Sequence, residues 1–183
     1  MKVTETGLAG VLIIEPDVHR DDRGFFVEIY HAARYAAEAG IDSVFVQDNR
    51  SRSRHHVLRG LHLQREHPQG KLVMVMRGEI WCVAADVNPA SPTFRQHVGV
   101  PLSETNHQQI YVPPGYAHGF CVVSDVADVT YKCTDFRYAN DEAGIAWNDP
   151  DLAITWPTET PKLSDRDKAN PSLASYLQTY RDG

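Results

Sequence analysis

Apolar residues along this chain come in short runs cut by Gly, Pro, Asn, Asp and Ser, a spacing that belongs to strands rather than long helices. The runs predict strands over 11–15, 24–30, 43–47, 57–64, 71–76, 79–87, 109–113, 119–123, 128–136 and 145–147. Arg77-Gly78 between two apolar runs predicts a hairpin turn. So many short strands imply a mainly β fold, an antiparallel sandwich or barrel. Three helical pieces sit at its edges. An Ala-rich stretch over 31–39 stops at Gly40, a C-terminal cap. Ser164, with Asp167 three residues on, caps a turn over 165–168. Asn170-Pro171 resembles an N-cap and first-turn proline opening a helix over 172–180. The pattern predicts one domain over 1–183, with a barrel to about 156 and a C-terminal appendage over 157–183.

Composition narrows the class. The 183 residues are 42% hydrophobic and 23% charged, as in globular proteins. No apolar run approaches the roughly 18 residues of a membrane span, and no leader-like segment opens the chain, so a cytoplasmic protein with no membrane partner is expected. The 24 Asp and Glu outnumber the 18 Lys and Arg, for a net charge of −6. That argues against nucleic acid as a partner and leaves an anionic small molecule open. Cys82, Cys121 and Cys133 show no paired spacing and read as buried free thiols.

The chemistry gathers around His62. Gly60-Leu-His62-Leu-Gln64 is followed by Lys71 and then Gly78, and some forty residues after Lys71 comes Pro113-Pro-Gly115-Tyr-Ala-His118. These segments resemble the two motifs of the cupin fold, a small antiparallel β-barrel or jelly roll whose mouth usually holds a metal. The second motif is intact. In the first, Gln64 stands where a second His is usual, and Lys71 where a Glu is usual. A neutral amide is a poor transition-metal ligand and an ammonium has no lone pair to give. No metal and no cofactor are therefore expected.

What remains is an acid–base set. Imidazole and a C–H beside a ketone differ by on the order of ten pKa units, roughly 14 kcal/mol for the proton transfer alone. A histidine base therefore needs a fixed positive charge at the forming enolate oxygen, and Lys71 is placed to supply one. Taken alone, Lys71 reads equally as a strand-edge lysine and Tyr131 as a core tyrosine. Asp167 alone reads more readily as a first-turn helix carboxylate, and 50–56 as a solvated basic loop.

A wider set of motifs then enters: Asp22-Arg-Gly-Phe-Phe-Val-Glu28, Val46-Gln-Asp-Asn49, Val57-Leu-Arg-Gly-Leu-His62, Gln69-Gly-Lys-Leu-Val73, Ser91-Pro-Thr-Phe94, Ala117-His-Gly-Phe120, Tyr131-Lys132, Trp147-Asn-Asp-Pro150 and Leu163-Ser-Asp-Arg-Asp167. Together they resemble the dTDP-4-dehydrorhamnose 3,5-epimerases. The resemblance implies a cupin-type barrel with short peripheral and C-terminal helices, and a homodimer. It implies a dTDP-linked 4-keto-6-deoxy sugar as substrate, inverted at C3 and C5. His62 matches the family's base, Asp167 its paired carboxylate, Lys71 the cation at the C4 oxygen and Tyr131 the proton donor on the far face. Val129 and Cys133 share the face of Tyr131, which places it inward. Arg23, Phe26, Glu28, Gln47, Asn49, Arg59, Lys71, His118, Glu142 and Arg166 match substrate-binding positions.

Two points depart from a simple picture. Strict alternation puts Arg59 and His62 on opposite faces, so either Gly60 carries a bulge or Arg59 serves a neighbouring subunit. Members of the family also often carry Tyr where Leu63 stands and an aromatic where Arg137 stands. An epimerase acting at C3 or C5 alone is the nearest rival. A metal-dependent cupin oxygenase and a non-catalytic sugar-nucleotide-binding barrel are the others.

Overall fold

A computed structural model describes residues 1–181. Its strands are β1 (Lys2–Glu5), β2 (Leu12–Glu15), β3 (Val18–Asp21), β4 (Gly24–Val27), β5 (Gln47–Arg54), β6 (Leu58–Gln64), β7 (Lys71–Arg77), β8 (Glu79–Ala85), β9 (His97–Ser103), β10 (Gln109–Val112), β11 (Ala117–Val122), β12 (Val126–Cys133) and β13 (Glu142–Gly144). The helices are α1 (Ala32–Ala39), α2 (Asp165–Lys168) and α3 (Leu173–Arg181). Two antiparallel sheets face each other, one in the order β1-β2-β10-β7-β12-β5 and the other β13-β6-β11-β8-β9. Strands β3 and β4 form a separate hairpin. Among the described residues, no helix is long and apolar enough to cross a membrane.

The strands are apolar on both sides because the sheets are covered on both sides. Val73, Val75, Ile110 and Val129 from the first sheet meet Ile80, Cys82, Val100, Phe120 and Val122 from the second in the central core. Leu72, Met74, Leu12 and Ile14 point the other way and pack on Tyr35 of α1. On the outer face of the second sheet, Leu58, Leu61, Val83 and Ile145 pack against Leu152 and Trp156 and against Leu173 and Tyr176 of the C-terminal appendage. Each such fully buried aliphatic side chain contributes about 1.5–3 kcal/mol.

Several boundaries differ from the sequence expectations. Arg77 and Gly78 do not close a hairpin, since β7 and β8 belong to different sheets. Gly78, at φ +77°, turns the chain across the corner between them, its N–H donating to Glu104 Oε1. The strand expected over 43–47 begins at Gln47 and runs through the basic stretch, so 50–54 is not a loop. Its Ser51 and Ser53 point inward by period 2, while Arg50 and Arg52 point outward to the carboxylate of Asp128. The last helix begins after Ser172, whose Oγ accepts from the Ser175 N–H. Asn170 is not its cap and lies instead against Gly144. The cap expected at Gly40 (φ +66°) and the turn over Asp165–Lys168 are as predicted.

Candidate active site

The central core fills one end of the barrel. At the other end polar side chains replace it around a cavity of about 290 Å³. His62 and His118 sit directly opposite one another on neighbouring strands β6 and β11. From the facing sheet come Tyr131 and Lys71. Tyr131 lies opposite Val73, and Lys71 opposite Cys133, so both strands turn these residues inward with Val129. His62 and Tyr131 thus reach the cavity from opposite walls.

Arg59 reaches the same cavity by the bulge expected at Gly60. On β11 two steps separate His118 from Phe120, while on β6 three separate their partners His62 and Arg59. The extra residue reverses the alternation and turns Arg59 and His62 to one side. Gly60 sits at φ +120°, and a Cβ there would come within 2.6 Å of the Gly119 Cα, which no other residue type tolerates. The peptide between Gly60 and Leu61 is cis.

Asp167 is delivered by α2. Ser164 caps that short helix, accepting from the Asp167 N–H at 3.1 Å and donating its own Oγ–H to Asp167 Oδ2 at 2.7 Å. The remaining carboxylate oxygen, Oδ1, lies 2.5 Å from His62 Nε2. Burial pushes the Asp167 carboxyl up, but the bonds from His62 and Ser164 outweigh it and hold it below the usual range. An ionised Asp167 fixes the proton on Nε2 and leaves Nδ1 as the basic nitrogen.

The other groups are tuned by the same dry surroundings. Burial lowers the Lys71 ammonium, against the opposing pull of Cys133, Glu142 and Cys82. Burial raises the Tyr131 phenol and Cys133 raises it further, while Arg59 pulls it down. Burial and then the charges of Lys71 and His62 hold His118 well below the ordinary imidazole value, so its ring is neutral near pH 7. Gln64 points elsewhere. Its amide donates to the carbonyls of His67 and Phe136 and accepts from the Tyr138 N–H, tying two loops to β6. The two first-motif positions that depart from the cupin pattern thus carry an amide engaged with the loops and a lysine.

At the rim, Glu142 accepts a fork of bonds from Arg137 (2.9 and 2.8 Å) and a third from Arg166 at 2.5 Å. Burial raises the Glu142 carboxyl, and the two guanidiniums more than reverse that. Arg137, Phe120, Ser51 and Ser164 also line the cavity and were absent from the sequence-derived site. Arg137 could have been found, since it replaces an aromatic of the family pattern; Ser51 carried only its place in the Arg-Ser alternation.

Not every expected binding residue is brought in. Gln47 and Asn49 lie on the inward face of β5, bonded to each other and, through Asn49, to Cys133. They are not among the residues that line the cavity. Arg23, Phe26 and Glu28 do not line it at all. They belong to the β3–β4 hairpin and the segment after it, where Arg23 pairs with Asp21 and Glu28 with Arg34. Phe26 is 69% exposed there.

Known proteins resemble this chain along most of its length. The family model described as dTDP-4-dehydrorhamnose 3,5-epimerase matches residues 5–175. A dTDP-4-dehydrorhamnose 3,5-epimerase of Salmonella typhimurium is 46% identical over 98% of this chain and 99% of its own. One from Methanothermobacter thermautotrophicus is 49% identical over 85% of this chain and 83% of its own. The crystal structure of dTDP-6-deoxy-D-glucose-3,5-epimerase from Legionella pneumophila, in complex with dTDP-4-keto-L-rhamnose, superposes with a TM-score of 0.92. It has 48% identity and covers 94% of this chain and 93% of that one.

Proposed function

Because the chain belongs to the dTDP-4-dehydrorhamnose 3,5-epimerase family, we propose that its cavity converts dTDP-4-dehydro-6-deoxy-D-glucose to dTDP-4-dehydro-L-rhamnose. His62 removes the proton at C5 and at C3 through Nδ1, and Asp167 stabilises the imidazolium that results. The electrons left behind go to the C4 oxygen, where the Lys71 ammonium meets the developing charge in a dry site. Tyr131, on the opposite wall, returns a proton to the other face of each carbon, which is what inversion requires. Arg59 and Arg166 bind the diphosphate, for which planar guanidiniums are suited. The observation that carries the reading is the 2.5 Å His62–Asp167 bond in a cavity that Tyr131 enters from the facing sheet.

Proton NMR of the 4-keto substrate with enzyme in D₂O tests it. Deuterium entering at both C3 and C5 is expected. Entry at one carbon reduces the enzyme to a single-carbon epimerase, and no exchange at either ends the carbon-acid reading.

A homodimer is part of the proposal. Phe25 and Phe26 are 56% and 69% exposed on the β3–β4 hairpin, a large apolar display for a lone chain. If Arg23, Phe26 and Glu28 bind substrate, the hairpin presents them to the cavity of a second copy. Light scattering should give twice the chain mass, and mixing Arg23→Ala with His62→Ala subunits should recover activity in sites that receive an intact residue of each kind.

A further inference from the structure

His118 lines the cavity beside His62 and Lys71, yet a neutral imidazole acts on an enolate oxygen only if it presents an N–H. Which of its nitrogens carries the proton is decided from behind. Cys82, on β8, lies opposite Phe120 of β11, and its Sγ sits 3.2 Å from His118 Nε2. Both side chains are buried, Cys82 at 0% and His118 at 7% exposure. Cys82 is not among the residues that line the cavity, whereas His118 is, so with Nε2 turned to the Cys82 wall the ring nitrogen left for the substrate space is Nδ1.

The contact joins a thiol to a neutral ring. Burial pushes the Cys82 thiol up to about 12, the nearby Lys71 charge offsetting only part of this, so the sulfur keeps its proton. Imidazole nitrogen is a far better acceptor than a thiol sulfur, so the S–H donates to Nε2. The single ring proton then stays on Nδ1, the nitrogen in the cavity.

We propose that Cys82 is a positioning residue that holds neutral His118 in its Nδ1–H form, making it a second donor, beside Lys71, to the C4 oxyanion. The assignment rests on the carbon-acid reading above. An oxyanion between Nζ of Lys71 and Nδ1–H of His118 has two preorganised donors, and no proton changes place at either during enolate formation.

Long-range ¹H–¹⁵N correlation spectra of ¹⁵N-histidine-labelled free enzyme report the tautomer without turnover, the His118 signals being assigned by their loss in His118→Gln. The Nδ1–H pattern is expected in the wild type, and an Nε2–H pattern would overturn the proposal without any variant being needed. In Cys82→Ala the preference should shift toward Nε2–H and kcat fall by roughly tenfold with KM little changed, a smaller loss than the roughly 10²–10³ for removing an oxyanion donor outright. Cys82→Ser, which restores a donor, should recover most of kcat. An alanine variant with wild-type kcat and tautomer, or a folded serine variant no better than alanine, overturns it. Deuterium exchange by the wild type separates the two readings, since its absence at C3 and C5 removes the reaction while leaving the tautomer measurement intact.

Discussion

A histidine held by one nitrogen is a different reagent from a free one. The Asp167 carboxylate occupies Nε2 of His62, so replacing it with asparagine keeps the shape and loses the charge that stabilises the imidazolium. Asp167→Asn should lower kcat by about 10²–10⁴, the span over which general-base assistance is lost, with little change in the far-UV circular dichroism. Tyr131→Phe separates the two halves of the reaction. Proton removal by His62 survives, so deuterium should still enter the substrate from D₂O while little inverted product forms; complete loss of exchange would place Tyr131 on the same side as the base. With Lys71 as the proposed oxyanion partner, its titration should set the alkaline limit. Its charged form is the useful one and its pKa is lowered, above all by burial. Activity should therefore fall as pH rises through a value below the ordinary lysine range. The Tyr131 phenol is raised and still protonated there. In Lys71→Arg the limb should move to higher pH in a kcat profile.

Short elements carry long consequences here. The four-residue helix Asp165–Lys168 is held by its Ser164 cap, and the same hydroxyl aims Asp167. Ser164→Ala should cost about 0.5–2 kcal/mol of stability, as cap losses do, and reduce kcat as well, both measurable by thermal melts and steady-state rates. That helix was legible because a Ser with a carboxylate three residues on is a local signal; the pairing of Asp167 with His62 was not, because it spans 105 residues and came only from resemblance. Strand β5 shows the converse. Its alternating Arg and Ser residues have the period of a strand but no apolar member, so hydrophobic patterning passes over it. Its outward arginines are held by Asp128, whose carboxyl they depress far below the ordinary value. A depressed acid contributes stability above its unfolded pKa and loses it as pH falls through the folded one. Asp128→Asn should therefore lower Tm at pH 7 and converge with the wild type in strong acid.

At the scale of the whole molecule, the sheet content and the apolar core were readable because both faces of both sheets are covered, leaving continuous runs such as Leu72–Val75. The sheet membership of those runs was not. Val73 and Ile80 face each other across the barrel, and nothing local distinguishes a corner at Gly78 from a hairpin. Edge strands were also missed: β9 carries Gly99 and Pro101, which read as breakers yet are tolerated where one side of the strand has no partner.

The appendage that brings Asp167 also covers Leu58, Leu61, Val83 and Ile145 of the second sheet. One stretch thus supplies the partner of His62 and covers an apolar sheet face. A chain truncated before Ser164 should therefore leave His62 without its carboxylate and part of an apolar sheet face uncovered, which loss of activity together with self-association would report.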